Sequence, residues 1–166
     1  SKFSKLITRK YSTSFSLGIY CLDKRIHQPI YNIYGFVRLA DEIVDSFHGY
    51  NKEKLLKQLR EDTVHAIDDK ISLNPVLNSF QLTYHKYNIE WHLVDAFLKS
   101  MEMDLLQTKY NSIEYDKYIY GSAEVVGLMC LRVFTEGDHN LYKKLNPYAM
   151  KLGSAFQKIN FLRDLQ

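Results

Sequence analysis

Apolar residues recur every three or four positions along most of the chain, and no stretch alternates with period two long enough to read as a strand. The longest periodic stretch predicts a helix from Asp23 or Lys24 to about Phe47, apolar at Ile33, Phe36, Val37, Ala40, Val44 and Phe47. Pro29 is tolerable there only near the first turn, and His48-Gly49-Tyr50 breaks the pattern. Asn51 is expected to cap a polar surface helix from Lys52 to about Asp68, apolar at Leu55, Leu56, Leu59 and Val64. Asn74-Pro75 pairs a cap with a proline at the first helical position and opens a short helix to about Tyr87. A helix from Glu90 to Thr108 follows, with Trp91, Val94, Phe97, Leu98, Met101 and Leu105 as its apolar face. Ser112 should cap one helix from Ile113 to Thr135, small in the middle at Tyr120-Gly121-Ser122-Ala123 and strongly apolar at its end. Glu136-Gly137-Asp138 reads as a turn, and the last helix is expected to begin near Leu145 or Pro147. The hydroxyl-rich Tyr11–Ser16 stretch reads as a helix start or the turn before one. The expectation is an all-α fold of about seven helices, a single domain over residues 1–166.

In the first long helix the apolar positions cover more than one stripe, yet Tyr34, Arg38, Asp41 and Asp45 share a further face at spacings of three and four. Carboxylates one turn apart repel by about 0.2–0.5 kcal/mol when exposed, and by more when desolvated. A cation between them relieves that cost. Oxygen-only ligands suit Mg²⁺, which keeps water and phosphate oxygens in its other positions, and the Arg38 fork fits a phosphate. A solvated helix face with an Arg/Asp ion pair would give the same pattern.

Composition narrows the classes. The chain is 46% hydrophobic and 25% charged, with thirteen Tyr and nine Phe, which is globular and aromatic-rich. A net charge of +3, dispersed along the chain, does not argue for nucleic acid. It suits an anionic ligand or a transient visit to a membrane surface. Cys21 and Cys130 stand apart from each other and from any His cluster, so they are expected to be reduced and structural. The scattered His residues lack HExxH, which gives zinc catalysis little support. No GxGxxG, P-loop, internal repeat or bilayer-length apolar run is present. The expected location is cytoplasmic, with peripheral membrane contact left open; a start removed before Ser1 is compatible with the sequence.

A second polar stripe lies near the end. Gln157, Asn160 and Asp164 share one face, while Ala155, Ile159 and Leu162 fall elsewhere. Tyr34–Asp45 and Gln157–Asp164 resemble the two aspartate-rich regions of the phytoene/squalene synthase family. Ser12–Ser16, Met101–Leu105 and Tyr120–Gly127 resemble further family segments in the same order, so the likeness spans essentially the whole chain.

The resemblance implies an isoprenoid-synthase-type helical bundle around a central cavity. It also implies head-to-head condensation of two prenyl diphosphates, farnesyl or geranylgeranyl, through a cyclopropyl intermediate with Mg²⁺-assisted diphosphate loss. Asp41, Asp45 and Asp164 are then metal ligands, and Asp41 and Asp45 are expected to face Asn160 and Asp164 across the cavity. Arg38, Gln157, Asn160 and Arg163, with Ser12 and Ser14, bind the diphosphates. Phe15, Tyr34 and Tyr120 supply aromatic faces to an allylic cation, although each alone suits core packing equally. NADPH enters only if the product is squalene; the Tyr120–Phe134 stretch leans towards phytoene.

Two departures stand out. Glu124 occupies a position that is usually small in the family, and a further Asp four residues beyond Asp164 has no counterpart before Gln166. The chain therefore reads as an N-terminal portion, truncated at its C-terminus, that is expected to self-associate and to show no turnover alone. A head-to-tail synthase or terpene cyclase usually carries DDxxD, which is absent, and a non-catalytic assembly or binding relative should have lost its aspartates.

Overall fold

The computed structural model describes residues 19–106 and 112–164, with residues 112 and 159–164 described by their backbone alone. These residues form seven α-helices and one π-helical turn, with no strand among them, which is the expected all-α class. None of the helices is long and apolar enough to cross a membrane. The chain divides into two compact units between Ile89 and Glu90.

The first unit contains α1 (Lys24–Asp45), α2 (Lys52–Asp68) and α3 (Pro75–Lys86). Each start is set by a side-chain oxygen that accepts from an otherwise unbonded backbone N–H. Asp23 accepts from Arg25, Asn51 from Lys54, and Asn74 from Val76 and Leu77. Phe36 of α1 stacks on Phe80 of α3 with ring centroids 4.1 Å apart, and Leu56, Leu59 and Leu77 complete the core. The core also holds polar groups joined by hydrogen bonds. Asn32 accepts from Gln28 at 2.8 Å and donates to Thr83 at 3.0 Å.

Three details depart from the expectations. Pro29 lies in the interior of α1, beyond the first turn, where its apolar ring is buried; that burial offsets the backbone donor it lacks. The helix stops at Asp45, short of Phe47, ahead of Gly49 with φ +86°. The buried face of α2 is Leu56, Leu59, Thr63, Ala66 and Ile67, leaving Leu55 and Val64 only half-buried. Thr63 takes a core position because its hydroxyl donates to the Leu59 carbonyl at 2.6 Å.

The second unit contains α4 (Trp91–Leu106), α5 (Ser112–Ile119), the π turn (Tyr120–Glu124), α6 (Val125–Phe134) and α7 (His139–Asp164). The single helix expected from Ile113 to Thr135 is thus broken by a wider turn, in which the Val125 N–H reaches back to the Tyr120 carbonyl. Close packing accompanies the break. A Cβ on Gly121 would lie 2.6 Å from the Ala96 carbonyl oxygen, and one on Gly153 would lie 2.9 Å from that of Ala123. Ser112, read as a cap, is the first helical residue, and Thr108 lies outside the described residues.

α7 begins at His139, well before Leu145. Glu136 (φ 45°) and Gly137 (φ 93°) turn the chain, and the Asp138 carboxylate accepts from Leu141 N–H at 2.9 Å to start the helix. Pro147 is interior but exposed, so water can serve the carbonyl its ring leaves without a donor. Cys21 and Cys130 are both free thiols, and burial pushes Cys130 up to about 12.

Candidate active site

The last turn of α1 gathers Asp41, Glu42 and Asp45 and contains no Lys or Arg. Backbone carbonyls at a helix C-terminus already carry about half a negative charge, so acids there are disfavoured by about 0.3–1 kcal/mol each. Two cationic side chains from outside that turn bond within it. Arg38, one turn back, forms an ion pair with Glu42, and Lys52 donates through Nζ to the Val44 carbonyl. Burial opposes the Arg38 charge, yet the Glu42 hydrogen bond and the charges of Glu42 and Asp41 raise its pKa above the ordinary value. Tyr34, Arg38 and Asp41 are half-buried on the predicted stripe, while Asp45 is exposed at its end. The donor set is oxygen only, as a hard cation that retains water requires.

Glu42 and Lys52 were not singled out from sequence. Glu42 sits inside the Asp41–Asp45 motif and is one helical turn from Arg38, a spacing that signals the pair. Among the described residues no three His, Cys, Asp or Glu converge on one point. The expected third metal ligand, Asp164, lies outside the described side chains, as do Asn160 and Arg163. The same holds for Ser12, Ser14 and Phe15, so the expected approach of Asp41 and Asp45 to Asn160 and Asp164 also falls outside them.

In the second unit Tyr120 opens the π turn, half-buried, and Gln157 is half-buried on α7. Tyr120 also lines a cavity of about 510 Å³, with Ala96, Ser100 and Met103 from α4 and Ile113 and Lys117 from α5. At the other end of the π turn, Glu124 accepts a hydrogen bond of 2.7 Å from the Ser154 hydroxyl. The unusual carboxylate is thereby tied to α7 beside Gly153, whose missing side chain lets the π turn approach.

Arg132, the one charge in the apolar run Val125–Phe134, was not flagged by sequence reasoning. It is buried, donates twice to Glu90 (Nε to Oε2 at 3.0 Å), and lies 3.5 Å from the centroid of the Tyr142 ring. Burial raises the Tyr142 hydroxyl pKa, against opposing effects from Arg132 and Asn146.

Among the described residues the two longest helices, α1 and α7, each have Asp as their last residue, and α1 carries Arg38 one turn before its acids. Residues 8–166 match the squalene/phytoene synthase family, and the chain belongs to that family. A phytoene synthase from Pseudescherichia vulneris is 29% identical over 164 residues, covering 93% of this chain and 52% of that protein. Among solved structures, a ligand-bound dehydrosqualene synthase matches at a TM-score of 0.84 and 26% identity, over 98% of this chain and 55% of the other. A squalene synthase from Alicyclobacillus acidocaldarius shares the fold at a TM-score of 0.86, with 20% identity over 99% of this chain and 61% of the other. The chain spans about half the length of these relatives.

Proposed function

We propose that this chain carries much of the substrate-binding and metal-binding machinery of a head-to-head prenyl transferase. The observation that supports this most is the family match along residues 8–166, in register with three acids at the negative pole of α1. In this reading the C–O bond of one prenyl diphosphate breaks, diphosphate leaves with the electron pair, the second substrate's double bond attacks the allylic carbon, and loss of a proton from the second substrate to the departed diphosphate or water closes the ring of a cyclopropyl intermediate. Bound Mg²⁺ would neutralise charge developing on the leaving group. Asp41, Asp45 and Asp164 would hold it, while Arg38, Gln157, Asn160 and Arg163, with Ser12 and Ser14, bind diphosphate oxygens. Tyr34, Phe15 and Tyr120 offer aromatic faces to the allylic cation, which needs an environment without water. NADPH belongs to this reading only for a squalene product. Because substrates and products are lipids, peripheral contact with a membrane belongs to it too.

Incubating the full-length enzyme with farnesyl or geranylgeranyl diphosphate and Mg²⁺, then identifying the hydrocarbon, tests the reading. A C30 or C40 product is expected. Asp45→Asn should abolish Mg²⁺-dependent diphosphate release with the fold intact, and near-normal turnover in that variant would remove Asp45 from its role. An assembly or binding relative would be favoured by loss of these aspartates; Asp41, Asp45 and Asp164 are all present.

A further inference from the structure

Tyr142, Asn146, Ala149 and Gly153 recur along α7 at helical spacing, and theirs is the face that packs. Tyr142 is buried beneath Arg132 and is hydrogen-bonded to Asn146. The Ala149 carbonyl oxygen lies 3.3 Å from where a Cβ on Gly127 of α6 would stand, and Gly153 lies against Ala123 and Glu124 of the π turn. Gln157, Asn160 and Asp164 continue the same spacing, so all seven positions fall within a strip of roughly 80° around the helix axis. The packing face therefore becomes the polar stripe within about one turn of Gly153.

Glu124 stands at that changeover, and it accepts from the Ser154 hydroxyl at 2.7 Å. The close backbone contact at Gly153 sets how near α7 comes to the turn, but a glycine has no side chain to fix the rotation of the helix. The bond one residue further on does fix it. Shifting α7 by one residue would move Ser154 by about 100° around the axis and about 1.5 Å along it, and the bond would break. A carboxylate acceptor also makes this bond stronger than one between neutral groups. We propose that Glu124 is a positioning residue: through Ser154 it sets the rotation and register in which α7 offers Gln157, Asn160 and Asp164 to a metal-bound diphosphate. The inference rests on the functional reading, which assigns those three residues to metal and diphosphate, and adds to it a residue that touches neither.

Calorimetric titration of the full-length enzyme with inorganic diphosphate in the presence of Mg²⁺ tests it without reading turnover. Glu124→Ala and Ser154→Ala should each weaken diphosphate binding about tenfold, as loss of one charge-assisted hydrogen bond allows. The double variant should bind no more weakly than either single one, since both act through the same bond. Glu124→Gln keeps an oxygen that can accept from Ser154 and should stay within about threefold of the parent. Helix content by circular dichroism should be unchanged in all of them. Unaltered binding in both alanine variants overturns the proposal. So does a Glu124→Gln variant as weak as Glu124→Ala while Ser154→Ala binds normally, because the charge itself would then be acting. Loss of binding together with loss of helix content overturns it too, since the bond would then only hold the fold. A parent enzyme that ignores Mg²⁺ and diphosphate fails the functional reading and this inference together, whereas a parent that binds, with its variants unchanged, fails this inference alone.

Discussion

The end of α1 and the surroundings of Arg132 both concentrate charge on an apolar helix, but they resolve it in opposite ways. Arg132 has its own acid, Glu90, bonded through two nitrogens, and an aromatic ring beneath it. The α1 end has three acids at the pole least hospitable to them, with Arg38 paired to Glu42 and Lys52 bonded to the Val44 carbonyl. A charge whose partners are all built into the chain is architecture. Acids that the chain places against its own helix dipole cost stability and suit a ligand of opposite sign.

The largest effect should come from breaking the satisfied site. Arg132→Ala leaves Glu90 without its guanidinium and is expected to cost about 3–5 kcal/mol in urea unfolding. Arg132→Met combined with Glu90→Gln should recover most of that. A loss below about 1 kcal/mol for the single variant would mean that water screens the pair, erasing the contrast with α1. Next comes the π turn that leads into this helix. Gly121→Ala puts a methyl 2.6 Å from the Ala96 carbonyl oxygen, and about 1–3 kcal/mol of destabilisation is expected. An unchanged urea midpoint would show that α4 and the turn can part freely.

Cys130 sharpens the point, since it shares α6 with Arg132 and has no cationic partner among the described residues to hold an ionised form. Its thiol is pushed by burial from 9.0 up to about 12. Below pH 9 both folded and unfolded chains keep the proton and stability is unaffected. Above pH 9 the unfolded chain ionises and the folded one resists, so stability falls, by about 1.4 kcal/mol at pH 10, until the pH nears 12. Cys130→Ala should flatten that slope. At pH 8 a thiol reagent should label exposed Cys21 well before Cys130, and equal rates would show that the α6 thiol is open to solvent.

Much of this was legible in the residues, for identifiable reasons. α2 and α3 could be placed because Asn51 and Asn74 are caps with a specific bonding role, and the structure shows those bonds. The start of α7 was missed because Pro147 looked like a first-turn proline, while the actual cap, Asp138, was absorbed into the preceding turn. The π turn leaves no mark on a period of three to four; its only trace was the small run around Gly121, whose close contact with α4 is a tertiary fact. The Arg38, Asp41 and Asp45 stripe was legible from spacing alone. The Arg38–Glu42 pair needed attention to the residue between the two aspartates, and Lys52, from the next helix, needed the fold.

The smallest effect is the most discriminating, because its sign is opposite to the others. In the absence of Mg²⁺, Asp45→Asn removes one negative charge from the C-terminal pole of α1 and relieves repulsion with Asp41 one turn away. The variant should therefore be more stable than the parent chain, by about 0.3–1 kcal/mol in urea unfolding. Adding Mg²⁺ should then stabilise the parent in proportion to its occupancy, because a ligand that binds only the folded state shifts the equilibrium towards it. The variant, with a ligand oxygen replaced by an amide, should respond less, so the two midpoints should converge or cross as Mg²⁺ rises. Arg132→Ala should show the same Mg²⁺ response as the parent from its lower starting point, since its charge is settled within the protein. An Asp45→Asn chain less stable than the parent without metal would place Asp45 among the fixed structural partners. An identical Mg²⁺ response in parent and Asp45→Asn would take Asp45 out of the metal site.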